Sequence, residues 1–282
     1  MNEKEEQHIL RRIVFRIPEN YLPLCKDELR TAVPLLLEEV EEVQVNPAQI
    51  EKNGTLVLCD SAALCDELRA QGCAVEGYLH KGNEAEKFHG LDYLVSNPGD
   101  LDRETLIKLY QRAANLPWTI LETERCTLRE MTEDDLPSIR RLYDEEARRF
   151  LTPPSDDTEM ERKIIRAYRY NVYRFYGFGM WVIVDRKSGE VIGRAGFDLP
   201  SGEEKDISYG YIIRPDMRRK GIAREITGAI ARYVRDVLGI DRVMIYTDQD
   251  NGPSIALLHS LHMEKMGICM HEGRQMLCYL MS

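Results

Sequence analysis

Alternation of apolar and polar positions predicts a strand at IVFRI (13–17), and the helical spacing of KDELRTAVPLLLEEVEEV (26–43) predicts a helix interrupted at Pro34. TLVLCD (55–60) reads as a buried strand, and SAALCDELRAQG (61–72) as a helix with Asp60 or Ser61 as N-cap and Gly72 as its stop. AVEGYLH (74–80) and LDYLVSNP (91–98) add two strands, and DRETLIKLYQRAANLP (102–117) adds a helix closed by Pro117. Strands alternating with helices of this length predict a small parallel α/β sheet. The pattern changes after Leu116-Pro117-Trp118, giving a first domain over 1–117 and a second over 118–282.

In the second domain TLRE (127–130) is a strand, and Thr132 caps a helix whose first turn carries Asp134 and Asp135. ERKIIRAYRYNVYRFY (161–176) is an aromatic-rich helix broken by Gly177 and Gly179, and MWVIVD and EVIGRAGF form a hairpin across Lys187-Ser188-Gly189. REITGAIARYVRDVLGI (224–240) is an amphipathic helix stopped by Gly239. DRVMIYTDQDN (241–251) is a strand, and SIALLHSLHMEKMG (254–267) reads as another helix, with Asn251 as N-cap and Pro253 in its first turn.

Between these lies SYGYIIRPDMRRKGIA (208–223): a strand from Tyr209 to Ile213, a turn at Pro215, then a basic glycine loop opening a helix at Arg224. Gly221 permits a sharp turn, backbone N–H groups converge at the helix start, and the flanking cations favour an anion there.

Arg218-x-x-Gly221-x-Ala223 resembles the signature of the GNAT acetyltransferases, and Asn251 with Ser254 three residues on resembles the family's second motif. The strand, turn and acidic helix start at 127–136 look like the entry to the branch that acetylates ribosomal-protein N-termini. The resemblance covers roughly Glu122 to Met281. It implies a mixed, mostly antiparallel sheet with splayed central strands, and acetyl-CoA as cosubstrate. Tyr211, Ile212 and Ile213 would pair with the pantetheine arm, and the loop Arg218, Arg219, Lys220, Gly221, Ile222, Ala223 and Arg224 would hold the pyrophosphate, with Asn251 and Ser254 reaching the cofactor. Trp181, Tyr176 and Tyr209 are the expected acceptor walls.

Direct acyl transfer to an amine needs a proton acceptor, because an amine of pKa near 10 is mostly protonated at neutral pH. Leu258 stands where many of these enzymes carry a tyrosine acid, and Ser208 where the branch often has a glutamate. Ser254 as thiol-side donor and Glu203, Glu204 or Asp206 as proton acceptors are the replacements expected. The first domain loosely resembles Rossmann-like halves, with Asp60 at the carboxyl end of a strand. Asp60-Ser61-Ala62 lacks the further acid that phosphoryl transfer needs, which favours a cap or turn.

Composition narrows the partners. A net charge of -10 argues against nucleic acid and permits a small cationic amine or a peptide N-terminus as acceptor. Seven cysteines without a CxxC pair fit neither a disulfide framework nor a zinc site, and the charged start MNEKEEQHILRR reads as neither a signal peptide nor a membrane span. A cytoplasmic, metal-free N-acetyltransferase is therefore expected. An acetyl-CoA-binding sensor without turnover is the alternative.

Overall fold

A computed structural model describes residues 10–17, 20–23, 25, 27, 50–200 and 206–281. The chain divides into two compact units, Met1–Trp118 and Thr119–Ser282. The predicted helix at 26–43 falls almost wholly outside the described residues.

The first unit holds four parallel strands in the order β1 (Arg12–Arg16), β2 (Thr55–Cys59), β3 (Ala74–Tyr78) and β4 (Leu94–Val95). Helix α1 (Ala62–Ala70) links β2 to β3, and α2 (Arg103–Ala113) follows β4. Side chains alternate along β2, so Leu56 and Leu58 pack with Leu106, Leu109 and Tyr110 of α2, while Val57 and Cys59 pack with Cys65 and Leu68 of α1. The strand expected over 91–98 shrinks to Leu94–Val95. Ser61 is the N-cap of α1 without a side-chain bond, and Glu86 from the polar loop supplies one by accepting from Ala62 N at 2.9 Å. Asp60 lies at the end of β2, where its carboxylate meets His80 Nε2 at 3.0 Å and its carbonyl accepts from Asn83 Nδ2 at 2.8 Å.

The second unit is built on an eight-stranded sheet in the order β11-β12-β10-β9-β8-β7-β6-β5. Its strands are β5 (Thr119–Glu122), β6 (Cys126–Arg129), β7 (Met180–Asp185), β8 (Val191–Asp198), β9 (Ile207–Ile213), β10 (Val243–Thr247), β11 (Glu264–His271) and β12 (Arg274–Met281). Every neighbouring pair is antiparallel except β9 and β10. This is the mixed, splayed α/β fold that the resemblance implied.

Three short helices precede the hairpin: α3 (Leu136–Arg140), α4 (Glu145–Arg148) and α5 (Thr158–Tyr168). Thr132 and Asp135 form a capping box on the 3-10 turn Glu133–Asp135 that leads into the first of them. Helix α5 continues through a π turn at Arg169–Tyr173 and ends at Gly177, whose φ of 72° is left-handed. Its tyrosines anchor the start of β7: Tyr168 Oη accepts from Met180 N at 2.8 Å, and Tyr173 Oη accepts from Met131 N at 3.1 Å and donates to the Met180 carbonyl.

Helix α6 (Ile222–Tyr233) covers one face of the sheet, where Tyr209 and Thr227 share a 2.9 Å hydrogen bond and Trp181 meets Tyr233 edge to face. Helix α7 (Gly252–Ser260) is shorter than the sequence suggests. His262 enters the left-handed region at φ 56°, the helix stops, and residues 264–267 begin β11. The β11–β12 hairpin also joins Cys269 to Cys278 in a disulfide, a pairing that the odd cysteine count concealed.

Candidate active site

Strands β9 and β10 share only two register pairs, Val243 with Ile207 and Met244 with Ser208. Beyond Ser208 they part, and among the described residues Tyr209–Ile213 have no ladder partner on that side. Unpaired backbone groups inside a sheet need another partner. The opening forms part of a cleft of about 1090 Å³, lined by β9, the loop after it, the end of β10 and the start of α7.

The loop is held in a special conformation. Arg219 has φ 60° and Gly221 φ 80°, both left-handed, and Gly221 is the N-cap of α6 with no side chain to bond the first helical amides. Arg125 ties this turn to the sheet: its Nη1 donates to the Lys220 carbonyl at 2.7 Å and its Nε to Glu225 at 2.6 Å. Burial pushes the Glu225 carboxyl up, but hydrogen bonds from Thr123 and Arg125 outweigh this and leave it below the usual range.

Tyr209, Tyr211, Ile212, Ile213, Arg218, Arg219, Gly221, Ile222, Ala223, Arg224, Asn251 and Ser254 all line the cleft. The Arg218 guanidinium is turned onto Asp144 at 2.8 and 2.9 Å and onto Glu146 at 2.9 Å. That leaves Arg219 and Arg224 as the loop cations on the cleft wall. Lys220 is outside the wall, with its amine 3.5 Å from the Met217 sulfur. Asn251 Oδ1 accepts from Ser254 N at 3.2 Å, so this motif is also a helix cap. Burial pushes the Tyr211 phenol up, opposed by a hydrogen bond with the Ser254 hydroxyl.

Other expected residues lie elsewhere. Trp181 is fully buried on the α6 face of the sheet, edge to face with Phe197, and does not line the cleft. Strand alternation explains this: Met180, its neighbour, takes the cleft side. Tyr176 is exposed and packs against Phe175, away from the wall. Asp206 pairs with Arg242 at 3.0 Å, also off the wall, and Glu203 and Glu204 lie outside the described residues. Leu258, at the usual tyrosine position, is a core residue, and His259 meets Tyr279 Oη at 3.3 Å.

The cleft also gathers residues that the sequence reading passed over. Arg194 and Asp198 from β8, and His271, Glu272 and Arg274 from the β11–β12 hairpin, add to its charged lining. The detectable signal was the alternation Arg-x-Gly-x-Asp in GRAGFD, which puts Arg194, Gly196 and Asp198 on one strand face. Burial pushes the Asp198 carboxyl up, Arg194 opposes this, Glu272 adds to it and His271 opposes it. Among the described residues no group of three or more metal-binding side chains comes together, and no helix is long and apolar enough to cross a membrane.

Residues 125–264 match the family model described as the acetyltransferase (GNAT) domain. A Bacillus subtilis protein, the uncharacterized N-acetyltransferase YoaA, is 28% identical over 151 residues, covering 53% of this chain and 85% of that relative. The uncharacterized N-acetyltransferase p20 of Bacillus licheniformis is 29% identical over 151 residues, covering 52% and 84%. A crystal structure of the ribosomal-protein-S5-alanine acetyltransferase from Vibrio fischeri overlaps 57% of this chain and 94% of its own, with 15% identity and a TM-score of 0.49. Through residues 125–264 the chain belongs to the GNAT acetyltransferases and is an acyltransferase.

Proposed function

We propose that the protein is an acetyl-CoA-dependent N-acetyltransferase that moves the acetyl group directly from the thioester to a primary amine, either a small cationic amine or a peptide N-terminus. The parting of β9 from β10 next to the Gly221 turn carries this reading. An extended pantetheine amide chain suits the unpaired strand edge at Tyr211–Ile213, and a pyrophosphate suits the uncapped amides of residues 219–224 with Arg219 and Arg224 beside them. Acetyl-CoA supplies the activated acyl group. The strand amides polarise its carbonyl, and the Ser254 hydroxyl, paired with Tyr211, donates to the departing sulfur.

Calorimetric titration with acetyl-CoA tests the cofactor half of this reading. The wild-type chain should bind, and Arg224→Glu should raise Kd about tenfold or more, a change of roughly 1.4 kcal/mol. A carboxylate in the first helical turn is compatible with the helix dipole, so folding is spared. No binding at millimolar acetyl-CoA, or an unchanged Kd in the variant, would remove the reading.

A further inference from the structure

Arg194, Gly196 and Asp198 stand directly opposite Ile212, Gly210 and Ser208 across the β8–β9 ladder. Opposed residues of antiparallel strands share a face, and of these six all but Gly196 line the cleft. The middle pair, Gly196 and Gly210, carries no side chain. A Cβ at Gly196 would stand 2.1 Å from the Gly179 carbonyl oxygen, and one at Gly210 would meet the Met180 methyl at 3.8 Å and Asp198 Oδ2 at 3.9 Å. The backbone of Gly179 and Met180 therefore fills the space over Gly196, whereas Gly210 leaves a gap beside the point where β9 leaves β10, bounded by the Met180 methyl and Asp198 Oδ2.

The Asp198 carboxylate is available for chemistry. Among the described residues no hydrogen bond or ion pair engages it, and it keeps one side open to solvent. The charged groups that face it are Arg194 on its own strand and His271 and Glu272 from the β11–β12 turn. His271 is itself stacked on Tyr246 of β10 at 3.9 Å, which fixes that turn against the cleft. Asp198 is exposed at the cleft, and its flanking protein still raises its carboxyl above the usual range, which makes it a better proton acceptor at neutral pH than an ordinary carboxylate.

We propose that Asp198 is the proton acceptor of the acyl transfer, taking a proton from the acceptor ammonium as it sits beside Gly210. This rests on the acetyl-transfer reading above. An ammonium N–H bond breaks and a carboxyl O–H bond forms, which frees the nitrogen lone pair. The nitrogen then bonds to the acetyl carbon while the carbon–sulfur bond breaks onto sulfur. The second nitrogen proton replaces the one that the Ser254 hydroxyl gives to the sulfur, and Asp198 returns its proton to water on its open side.

The full-length chain, Asp198→Asn and Asp198→Glu are compared by release of CoA thiol from acetyl-CoA, with putrescine and alaninamide as the amine probes. Asp198→Asn should bind acetyl-CoA within twofold of wild type yet lose about 100-fold in kcat at pH 7. Its deficit should shrink about tenfold per pH unit as the pH approaches the amine pKa, near 10 for putrescine, because the amine then loses its proton unaided. Asp198→Glu should recover part of the rate. An Asp198→Asn rate within threefold of wild type, a loss confined to the amine KM, or a deficit independent of pH would each overturn the assignment while leaving the acetyl-transfer reading intact. A wild-type chain that binds acetyl-CoA yet acetylates neither probe, nor any of a panel of polyamines, aminoglycosides, amino acids and short peptides, would overturn both.

Discussion

Asp135 is nearly excluded from water, and Arg129 grips both its oxygens at 2.8 Å while Thr132 N donates to it at 2.7 Å. Burial pushes its carboxyl up, but these bonds outweigh burial and hold it below the usual range. A depressed folded pKa contributes stability that is fully present above the unfolded value near 3.9 and is lost as the pH falls through the folded value. Asp135→Asn should therefore cost about 1.5–3 kcal/mol in urea denaturation at pH 7, because it leaves the half-buried Arg129 without its counter-charge, and the gap to wild type should narrow below pH 4. A cost under 1 kcal/mol would contradict this description. At the same scale, Gly196→Ala should lose roughly 3 kcal/mol or more of stability, since its Cβ would meet backbone at 2.1 Å. Single residues were unevenly legible in the sequence. Asn251, Ser254 and Gly221 sit in local motifs that fix their own backbone. Trp181 lies off the cleft, because a helix-to-strand entry hides which face a ring takes, and the place of Asp198 on the cleft wall was hidden because its neighbours come from β9 and the β11–β12 turn.

Elements with local signals were read well. The strands at 55–59 and 180–185, the helices at 103–113 and 222–233, and the Thr132 cap follow from periodicity and capping residues. The hairpin β11–β12 was not, because the large apolar residues of β11, Met266, Ile268 and Met270, face outward, and SIALLHSLHMEKMG continues a helical spacing that only His262 interrupts. The parting of β9 from β10 was implied by family resemblance and is invisible to pattern, since it depends on a register between strands about thirty residues apart. Arg125 supports the turn at this opening from outside the cleft, through the Lys220 carbonyl and Glu225. As an exposed ion pair it adds only about 1 kcal/mol or less to stability. Arg125→Ala should accordingly leave the urea midpoint almost unchanged but weaken acetyl-CoA about three- to tenfold by calorimetry, because the turn loses its tether. Equal Kd values would detach Arg125 from cofactor binding.

For the molecule as a whole, the cofactor reading assigns acetyl-CoA to the unit Thr119–Ser282. Each unit holds one of the two tryptophans, Trp118 in the first and fully buried Trp181 in the second. In a Trp118→Phe chain, Trp181 fluorescence reports the second unit alone. Acetyl-CoA at 100 times Kd should add about 2.7 kcal/mol to that unit. This should raise its thermal midpoint by roughly 5–10 °C. An unmoved midpoint would place the ligand elsewhere. Catalysis itself is tested most directly by thiol release from acetyl-CoA over a panel of polyamines, aminoglycosides, amino acids and short peptides with varied N-termini. Rapid, enzyme-dependent release is expected with at least one primary amine, with an acetylated amine as product. Acetyl-CoA binding with silence across the whole panel would contradict it and leave a cofactor-binding sensor in its place.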